Sequence, residues 1–464
     1  MDAAFDIARN AVNLRYEDIP GDIVDLTRQS ILDTLGVIAA ASTMGEASKE
    51  IVELVKESGA KGNSTIIGHN ARVPSWLAGF ANGSMVHEMD YDDLGVGVHP
   101  SACAVPAAFA VAEEIGKING REFITAIAMA VDLSCRMGLA ISGSRTNLAM
   151  GRSGWMSPPL LGFFTATVAA GRILGLSEDE MLDALGHTLE QAAGSSQWQH
   201  SPGSVFRGIR DGFSNKGGIL SALMAKRGLP GTRDSLEGKA GFFNLYYRGE
   251  YERSFLVDEL GKRFENRNVG FKPWPVCGIP LPSVDATLGL LSRHDIKSKN
   301  IKTINVLMAE LTGPFLAQVE NLEERRRPET VIDAKFSIPF AVGIAAARRN
   351  VVIKDFTKEG LKDQKVLEMA GKITVMADPQ VGNTPYNLVV EIETKDGKRY
   401  SNGVDVPYGN PKKPIASEDL IAKFKDCVSY SARPLSGDNV EAIIEMMGKL
   451  EEVEDVSSII RMLG

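Results

Sequence analysis

A short segment between two apolar stretches concentrates the acid–base groups of the chain. Residues 87–101 read HEMDYDDLGVGVHPS and hold two of the six histidines together with three aspartates. His87 and Asp90 are three residues apart, so they share a face if the preceding helix continues through them. The glycines after Asp93 predict a loop that carries His99, and loops often present catalytic groups. The segment therefore predicts a site of proton transfer, although a capped and solvated helix end has the same composition.

His99 is the candidate acid or base of this segment, because histidine titrates near neutral pH. Asp90 and Asp93 are candidate catalytic partners, which orient the imidazole or exchange a proton with it. That second role requires burial or a like charge to raise the pKa of one of them. Tyr91 is a candidate substrate contact. The alternative for His99 is a buried structural histidine bonded to a helix end.

Two arginines, Arg207 and Arg210, precede a predicted helical stretch that contains Lys216. A guanidinium group is planar, matches a carboxylate, and does not release its proton near neutral pH. We therefore expect these three cations to bind an anionic substrate. A solvated basic turn is the alternative.

Length and composition limit the class of protein. A chain of 464 residues exceeds what one core usually supports, so we expect two domains. Net charge of −8 and a pI near 5.5 argue against nucleic acid and anionic membranes as partners. The four cysteines are far apart, and the first residues do not resemble a secretory signal, so we expect reduced thiols and a cytoplasmic protein.

Periodicity divides the chain into a helical part and a mixed part. The pattern predicts a helical domain over residues 1–267 and 408–464. It predicts an inserted α+β domain over residues 268–407. Ser177 and Glu180 form a capping box at the start of one helix. The other predicted elements are helices over 48–58, 74–89, 102–115, 121–141 and 333–348, strands over 302–311, 372–376, 387–393 and 398–404, and a hairpin turn over 395–398.

Five blocks in this order resemble the MmgE/PrpD family, whose members include 2-methylcitrate dehydratase, cis-aconitate decarboxylase and iminodisuccinate epimerase. The blocks are residues 82–101, 236–242, 272–277, 333–340 and 423–427. The resemblance implies a homodimer with a large helical domain, a smaller α+β lid, and a cofactor-free site between them for a carboxylic acid. Trp155 and Lys272 are further candidate substrate contacts, and Cys277 is a candidate thiol acid–base group or a packing residue.

The chain departs from the family pattern at positions that transfer protons. Met156 and Leu281 stand where histidine is common, and Arg207 and Arg210 stand where lysine and histidine are usual. We therefore expect a pocket that holds an anion better, and moves protons less readily, than the family pattern.

The expected activity is a cofactor-independent lyase that removes a proton beside a carboxylate of a di- or tricarboxylic acid, with dehydration of the 2-methylcitrate type favoured. Epimerisation and decarboxylation share the enolate step and stay open. A non-catalytic carboxylate-binding protein is another alternative. A metal-dependent hydrolase is a third, with ligands His87, Asp90, Asp93 and His99, and with His187 and His200 as the obvious candidates from elsewhere in the helical domain.

Overall fold

The computed structural model describes residues 1–143, 154–201, 203–308, 317–378, 380–381 and 387–464. These residues form two compact units, one of Met1–Gly270 with Ala416–Gly464 and one of Phe271–Ile415. The first unit is helical, and the second combines helices with a four-stranded sheet. The expected fold class, mainly α with a smaller α+β part, is confirmed.

The first unit buries apolar helices against one another. The capping box predicted at Ser177 and Glu180 is present and begins the helix Glu178–Leu189. The α-helices of this unit are Ala3–Asn13, Gly21–Met44, Ser48–Glu57, Ser75–Val86, Ser101–Ile115, Gly120–Gly143, Ser157–Ile173, Glu178–Leu189, Phe206–Lys226, Phe242–Tyr247, Ser254–Val257, Ser417–Val428, Gly437–Gly448 and Ser457–Leu463.

One long apolar helix of this unit forms part of its core. Residues Gly120–Ser142 are long and apolar enough to cross a bilayer, but 94% of the apolar window is buried inside the protein. This burial is typical of a core helix. The four cysteines carry free thiols, and three of them, Cys103, Cys135 and Cys427, are buried.

The second unit is built on a sheet in which Ile301–Met308 and Leu388–Thr394 are the inner strands. Ile373–Ala377 pairs in parallel with the first of these, and Arg399–Val404 pairs antiparallel with the second. Alternate residues of Leu388–Thr394 are buried, as expected for a strand with one face on the core. The α-helices of this unit are Leu281–Arg293, Ala317–Glu320, Leu322–Arg326, Val331–Lys335, Ile338–Arg348 and Gln364–Ala370.

The single helix predicted over residues 333–348 is wrong, because the chain breaks it into Val331–Lys335 and Ile338–Arg348. Ser337 caps the second helix by accepting a hydrogen bond from the backbone N–H of Phe340, and Pro339 lies in its first turn. Both are helix-start signals. The described part of the strand predicted over 302–311 is Ile301–Met308, and residues 309–311 lie outside the described part of the chain.

Candidate active site

Two helices place the candidate site residues of the first unit. The helix Ser75–Val86 leads directly into the segment 87–100, which we call the histidine–aspartate loop. The helix Phe206–Lys226, which we call the arginine helix, packs against it through glycine: a Cβ on Gly212 would lie 2.0 Å from the Oγ of Ser84. Only a residue without a side chain permits this approach. The start of the arginine helix is thereby held beside the loop.

The two histidines of the loop share the carboxylate of Asp92. The Nδ1 of His87 lies 3.0 and 2.9 Å from the two carboxylate oxygens. The Nδ1 of His99 lies 3.1 Å from Oδ2 of the same group. The two rings are 4.4 Å apart between centroids and meet edge to face. Asp92 therefore joins the imidazoles into one cluster.

The contacts of Nδ1 indicate which nitrogen of His99 transfers a proton. Its Nδ1 lies 2.8 Å from the carbonyl oxygen of Asp93, and a carbonyl only accepts. Nδ1 therefore carries hydrogen, which leaves Nε2 as the reactive atom. The His99 side chain is 11% exposed, whereas that of His87 is fully buried. Burial lowers the pKa of His87 well below its ordinary value, so this ring is neutral.

Asp93 is a buried carboxylic acid. Its Oδ2 accepts a hydrogen bond from the backbone N–H of Ser101 at 3.0 Å, and Oδ1 has no hydrogen-bond partner among the described residues. Burial, and secondarily the charge of Asp92, raise the pKa of Asp93 to about 8. A raised pKa is required if Asp93 is to exchange a proton, and Asp93 meets this requirement. At pH 7 its carboxyl group is mostly protonated and able to donate.

The expectation that Asp90 shares a helix face with His87 is wrong. The helix ends at Val86, and Asp90 adopts a left-handed backbone conformation with φ of 50°, which aspartate tolerates better than most residues. Its carboxylate turns to Arg207, whose Nη2 donates a 2.7 Å hydrogen bond to Oδ2. Both side chains are buried, so the pair is a buried ion pair that links the loop to the arginine helix.

Arg210 is the most enclosed cation of the site, with a side chain that is fully buried. Its Nη1 donates to the sulfur of Met156 at 3.3 Å, and its Nε lies 3.5 Å from the carboxylate of Asp211. Nε and Nη2 make no hydrogen bond within the described residues. A buried guanidinium with spare donors is suited to an anionic ligand. Burial lowers the pKa of Arg210 and raises that of Asp211.

Trp198 connects the two arginines, and the sequence interpretation missed it. Its Nε1 donates to the sulfur of Met156 at 3.3 Å, and the guanidinium carbon of Arg207 lies 5.5 Å from its ring centre. Asp92 and Asp211 were missed as well. Asp92 had a usable signal, since it lies between two candidate catalytic aspartates, but neither Trp198 nor Asp211 belongs to a recognisable motif.

The other three residues of this unit that were expected to bind substrate each pack against another side chain of the protein. They are Lys216, Tyr91 and Trp155. Lys216 lies six residues after Arg210, a rotation of about 240° around the helix, and its Nζ is 5.7 Å from the ring centre of Phe80. Tyr91 is buried under the Nζ of Lys423, which is 3.8 Å from its ring centre. Trp155 is 38% exposed and packs edge to face on Tyr246.

The remaining predicted residues belong to the second unit. Lys272 is buried. Cys277 is partly buried, packs on the apolar core of its unit, and donates a backbone hydrogen bond to the carbonyl of Lys335. Leu281 begins a helix and is buried. Packing is the role of Cys277 that these contacts support.

The groups that could bind a metal in the structure differ from the ligands expected for a metal-dependent hydrolase. His87, Asp92 and His99 place one ligand atom each within 4.8 Å of one another. Asp90 turns to Arg207 and the side chain of Asp93 to Ser101, so neither completes the set. The two candidates from elsewhere have other surroundings: His187 bonds to the carbonyl of Leu229, and His200 is exposed. Hydrogen bonds between the two imidazoles and a carboxylate account for the same distances.

Comparison with known proteins gives matches along most of the chain. Residues 5–254 match the MmgE/PrpD N-terminal domain, and residues 274–459 match the MmgE/PrpD C-terminal domain. Cis-aconitate decarboxylase of Aspergillus terreus is 24% identical and covers 99% of this chain and 95% of its own length. The human enzyme of the same name is 24% identical and covers 97% and 92%. 2-Methylcitrate dehydratase of Salmonella typhimurium is 22% identical and covers 89% and 87%.

Proposed function

The chain belongs to the MmgE/PrpD family, and we propose that it is a lyase that acts on a di- or tricarboxylic acid by proton transfer at a carbon beside a carboxylate. The relatives named above are decarboxylases and dehydratases, both of them lyases, which supports the class. The observation that carries the substrate type is Arg210, a fully buried cation with two nitrogens that make no hydrogen bond to the described residues. A substrate carboxylate would satisfy them.

The chemistry needs a fixed cation and a proton carrier. Negative charge that develops on a carboxylate is stabilised when a donor is already in place, since a preorganised donor costs no reorganisation. Arg210 supplies that donor in our proposal, and Nε2 of His99 carries the proton. Asp93, protonated at neutral pH, is a second acid on the same loop.

We place decarboxylation first among the possible reactions. In this reaction the bond to one carboxylate breaks, CO₂ leaves, and the electron pair spreads towards a remaining carboxylate until a neighbouring carbon takes a proton. One proton donor is sufficient. The side chain of His99 is partly exposed, and its Nε2 makes no hydrogen bond to the residues that the structure describes. The relatives that cover 97% or more of the chain at 24% identity include cis-aconitate decarboxylases. Cis-aconitate is therefore the first substrate to test.

Dehydration of a 2-methylcitrate-like hydroxy acid is the second candidate. It requires a base for the carbon and an acid for the departing hydroxyl group. His99 and the neutral carboxyl of Asp93 are a base and an acid carried by one loop, and 2-methylcitrate dehydratase is among the relatives. Epimerisation would need a second base on the opposite face of the substrate.

Proton NMR of the purified protein in D₂O tests the proposal. The substrates are cis-aconitate, 2-methylcitrate, citrate, malate and iminodisuccinate. Release of CO₂ with deuterium in the product indicates decarboxylation, a new alkene from a hydroxy acid indicates dehydration, and exchange without net conversion indicates epimerisation. Binding of these acids without exchange or conversion would contradict the lyase proposal and favour a carboxylate-binding protein.

A further inference from the structure

The shared carboxylate of Asp92 is an unusual feature of the site. One carboxylate lies within hydrogen-bond distance of two imidazoles, 2.9 Å from Nδ1 of His87 and 3.1 Å from Nδ1 of His99. Asp92 is itself buried, and so is His87. A buried carboxylate that faces a partly exposed histidine can act on a reaction without touching the substrate.

We propose that Asp92 is a positioning residue that acts through His99, and that His87 braces the Asp92 carboxylate. This inference rests on the proposed function, in which Nε2 of His99 moves the proton. The carboxylate and the carbonyl of Asp93 both face Nδ1 of His99, so that nitrogen keeps its hydrogen and the ring keeps one orientation. When Nε2 takes up a proton, the imidazolium has a negative partner in contact with it.

Asp92 contributes more than the backbone carbonyl of Asp93 does to keeping hydrogen on Nδ1 of His99. A hydrogen bond with a charged partner is roughly twice as strong as one between neutral groups. The carboxylate also offsets the positive charge of a protonated imidazole, which a carbonyl does only weakly. Removal of the charge at Asp92 should therefore disturb His99 even though the carbonyl of Asp93 remains.

His87 fixes the position of Asp92 and does not reach the substrate. Its side chain is fully buried, and its Nδ1 is within 3.0 Å of both carboxylate oxygens. A carboxylate held at both oxygens from one side presents Oδ2 to His99 in a single rotamer. Nε2 of His87 has no hydrogen-bond partner among the described residues. The residue is therefore a brace for the carboxylate.

A double-mutant cycle between Asp92 and His99 tests the inference. In the wild-type background, Asp92→Asn should lower kcat roughly 10²-fold, within the range for one acid–base group, with little change in KM. In the His99→Asn background the same change should alter the residual rate by no more than about twofold, the scatter of independent measurements. A structural role for Asp92 predicts the same loss in both backgrounds, and that result would overturn the inference.

A second measurement requires no substrate. With only six histidines, ¹⁵N-histidine labelling gives a simple spectrum, and His99→Asn assigns the resonance of His99. The wild type should show His99 with hydrogen on Nδ1, and Asp92→Asn should show a mixture of the two tautomers. An unchanged tautomer would count against the positioning role. This readout decides the inference even if none of the tested acids reacts, which would be a failure of the proposed function alone.

Glu113→Gln is the matched control, a buried carboxylate changed to an amide on the helix that follows the loop. Glu113 accepts hydrogen bonds from the backbone N–H and Oγ1 of Thr65 at 2.6 and 2.8 Å. It lies near the far end of the helix Ser101–Ile115, about 18 Å along the axis from Ser101 at 1.5 Å per residue. This variant should keep the wild-type kcat and tautomer. His87→Gln, which can still donate to Asp92, should lower kcat less than Asp92→Asn does.

Discussion

Substitution of Arg210 by lysine gives the most direct test of the anion site. Arg210→Lys keeps the positive charge beside Asp211 but removes the planar fork, so a carboxylate that forms two parallel hydrogen bonds would keep one. A hydrogen bond to a charged group contributes about 1.5–3 kcal/mol net. At 1.4 kcal/mol for each factor of ten, the loss of one such bond should weaken binding roughly 10- to 100-fold.

Isothermal titration calorimetry with tricarballylate, a saturated tricarboxylate, measures this loss without turnover, and KM for the active substrate should rise by a similar factor. Arg267→Lys is the matched control. Arg267 also forms a two-point pair with a carboxylate, 2.7 and 2.9 Å from Asp22, but the pair is exposed and lies outside the site. A folded Arg210→Lys protein with wild-type affinity and KM would show that Arg210 does not bind the substrate.

Four further outcomes are expected. His99→Asn should lower kcat roughly 10²–10⁴-fold, as measured by product formation at saturating substrate; a wild-type rate would remove His99 from the mechanism. Asp93→Asn should change how stability depends on pH: because the pKa of Asp93 is raised from 3.8 to about 8 on folding, its contribution in the wild type is fully present below about 4 and is lost as the pH rises through 8. Thermal unfolding from pH 4 to 9 should therefore show that the variant loses less stability towards alkaline pH, and parallel curves would contradict the assignment. His87→Gln should change the acid side of the same stability curve. Because the pKa of His87 is lowered on folding, the wild type loses stability as the pH falls below about 6.5. The variant should lose less stability than the wild type at acid pH in the same thermal unfolding experiments. Dialysis against a chelator should leave turnover unchanged, and recovery of lost activity by a single divalent metal would favour the hydrolase alternative instead.

Local signals predicted much of the fold. The capping box at Ser177 and the strands of the second unit depend on residues adjacent in the chain, and both were located within a few positions. The break between Lys335 and Ile338 was missed although Ser337 and Pro339 signal it, because the apolar period continues across the break. In that segment the apolar period predicts the buried residues well, but it does not predict where one helix ends and the next begins.

The site was harder to predict because its contacts join distant segments. The loop position of His99 followed from the glycines beside it. The partners of its neighbours did not: the sequence places Asp90 on a helix face with His87 and makes it a candidate partner of His99, yet Asp90 pairs with Arg207, 117 residues away. A left-handed turn at Asp90 redirects its carboxylate, and no local pattern requires that conformation. The sequence could have marked Asp92 as a candidate, but only the tertiary structure shows that it is the aspartate in contact with both histidines.

Three of the four departures from the family pattern, Met156, Arg207 and Arg210, are joined in one contact set through Trp198. Met156 accepts hydrogen bonds from Arg210 and Trp198, and Trp198 packs against Arg207. A histidine at position 156 would place a second titratable ring against a buried guanidinium, whose charge disfavours protonation of that ring. A thioether avoids this conflict, because it accepts weakly and never ionises. In the proposed function, Arg210 therefore holds the negative charge and the histidine–aspartate loop transfers the proton, and this division is sufficient for a reaction that needs one proton, such as decarboxylation.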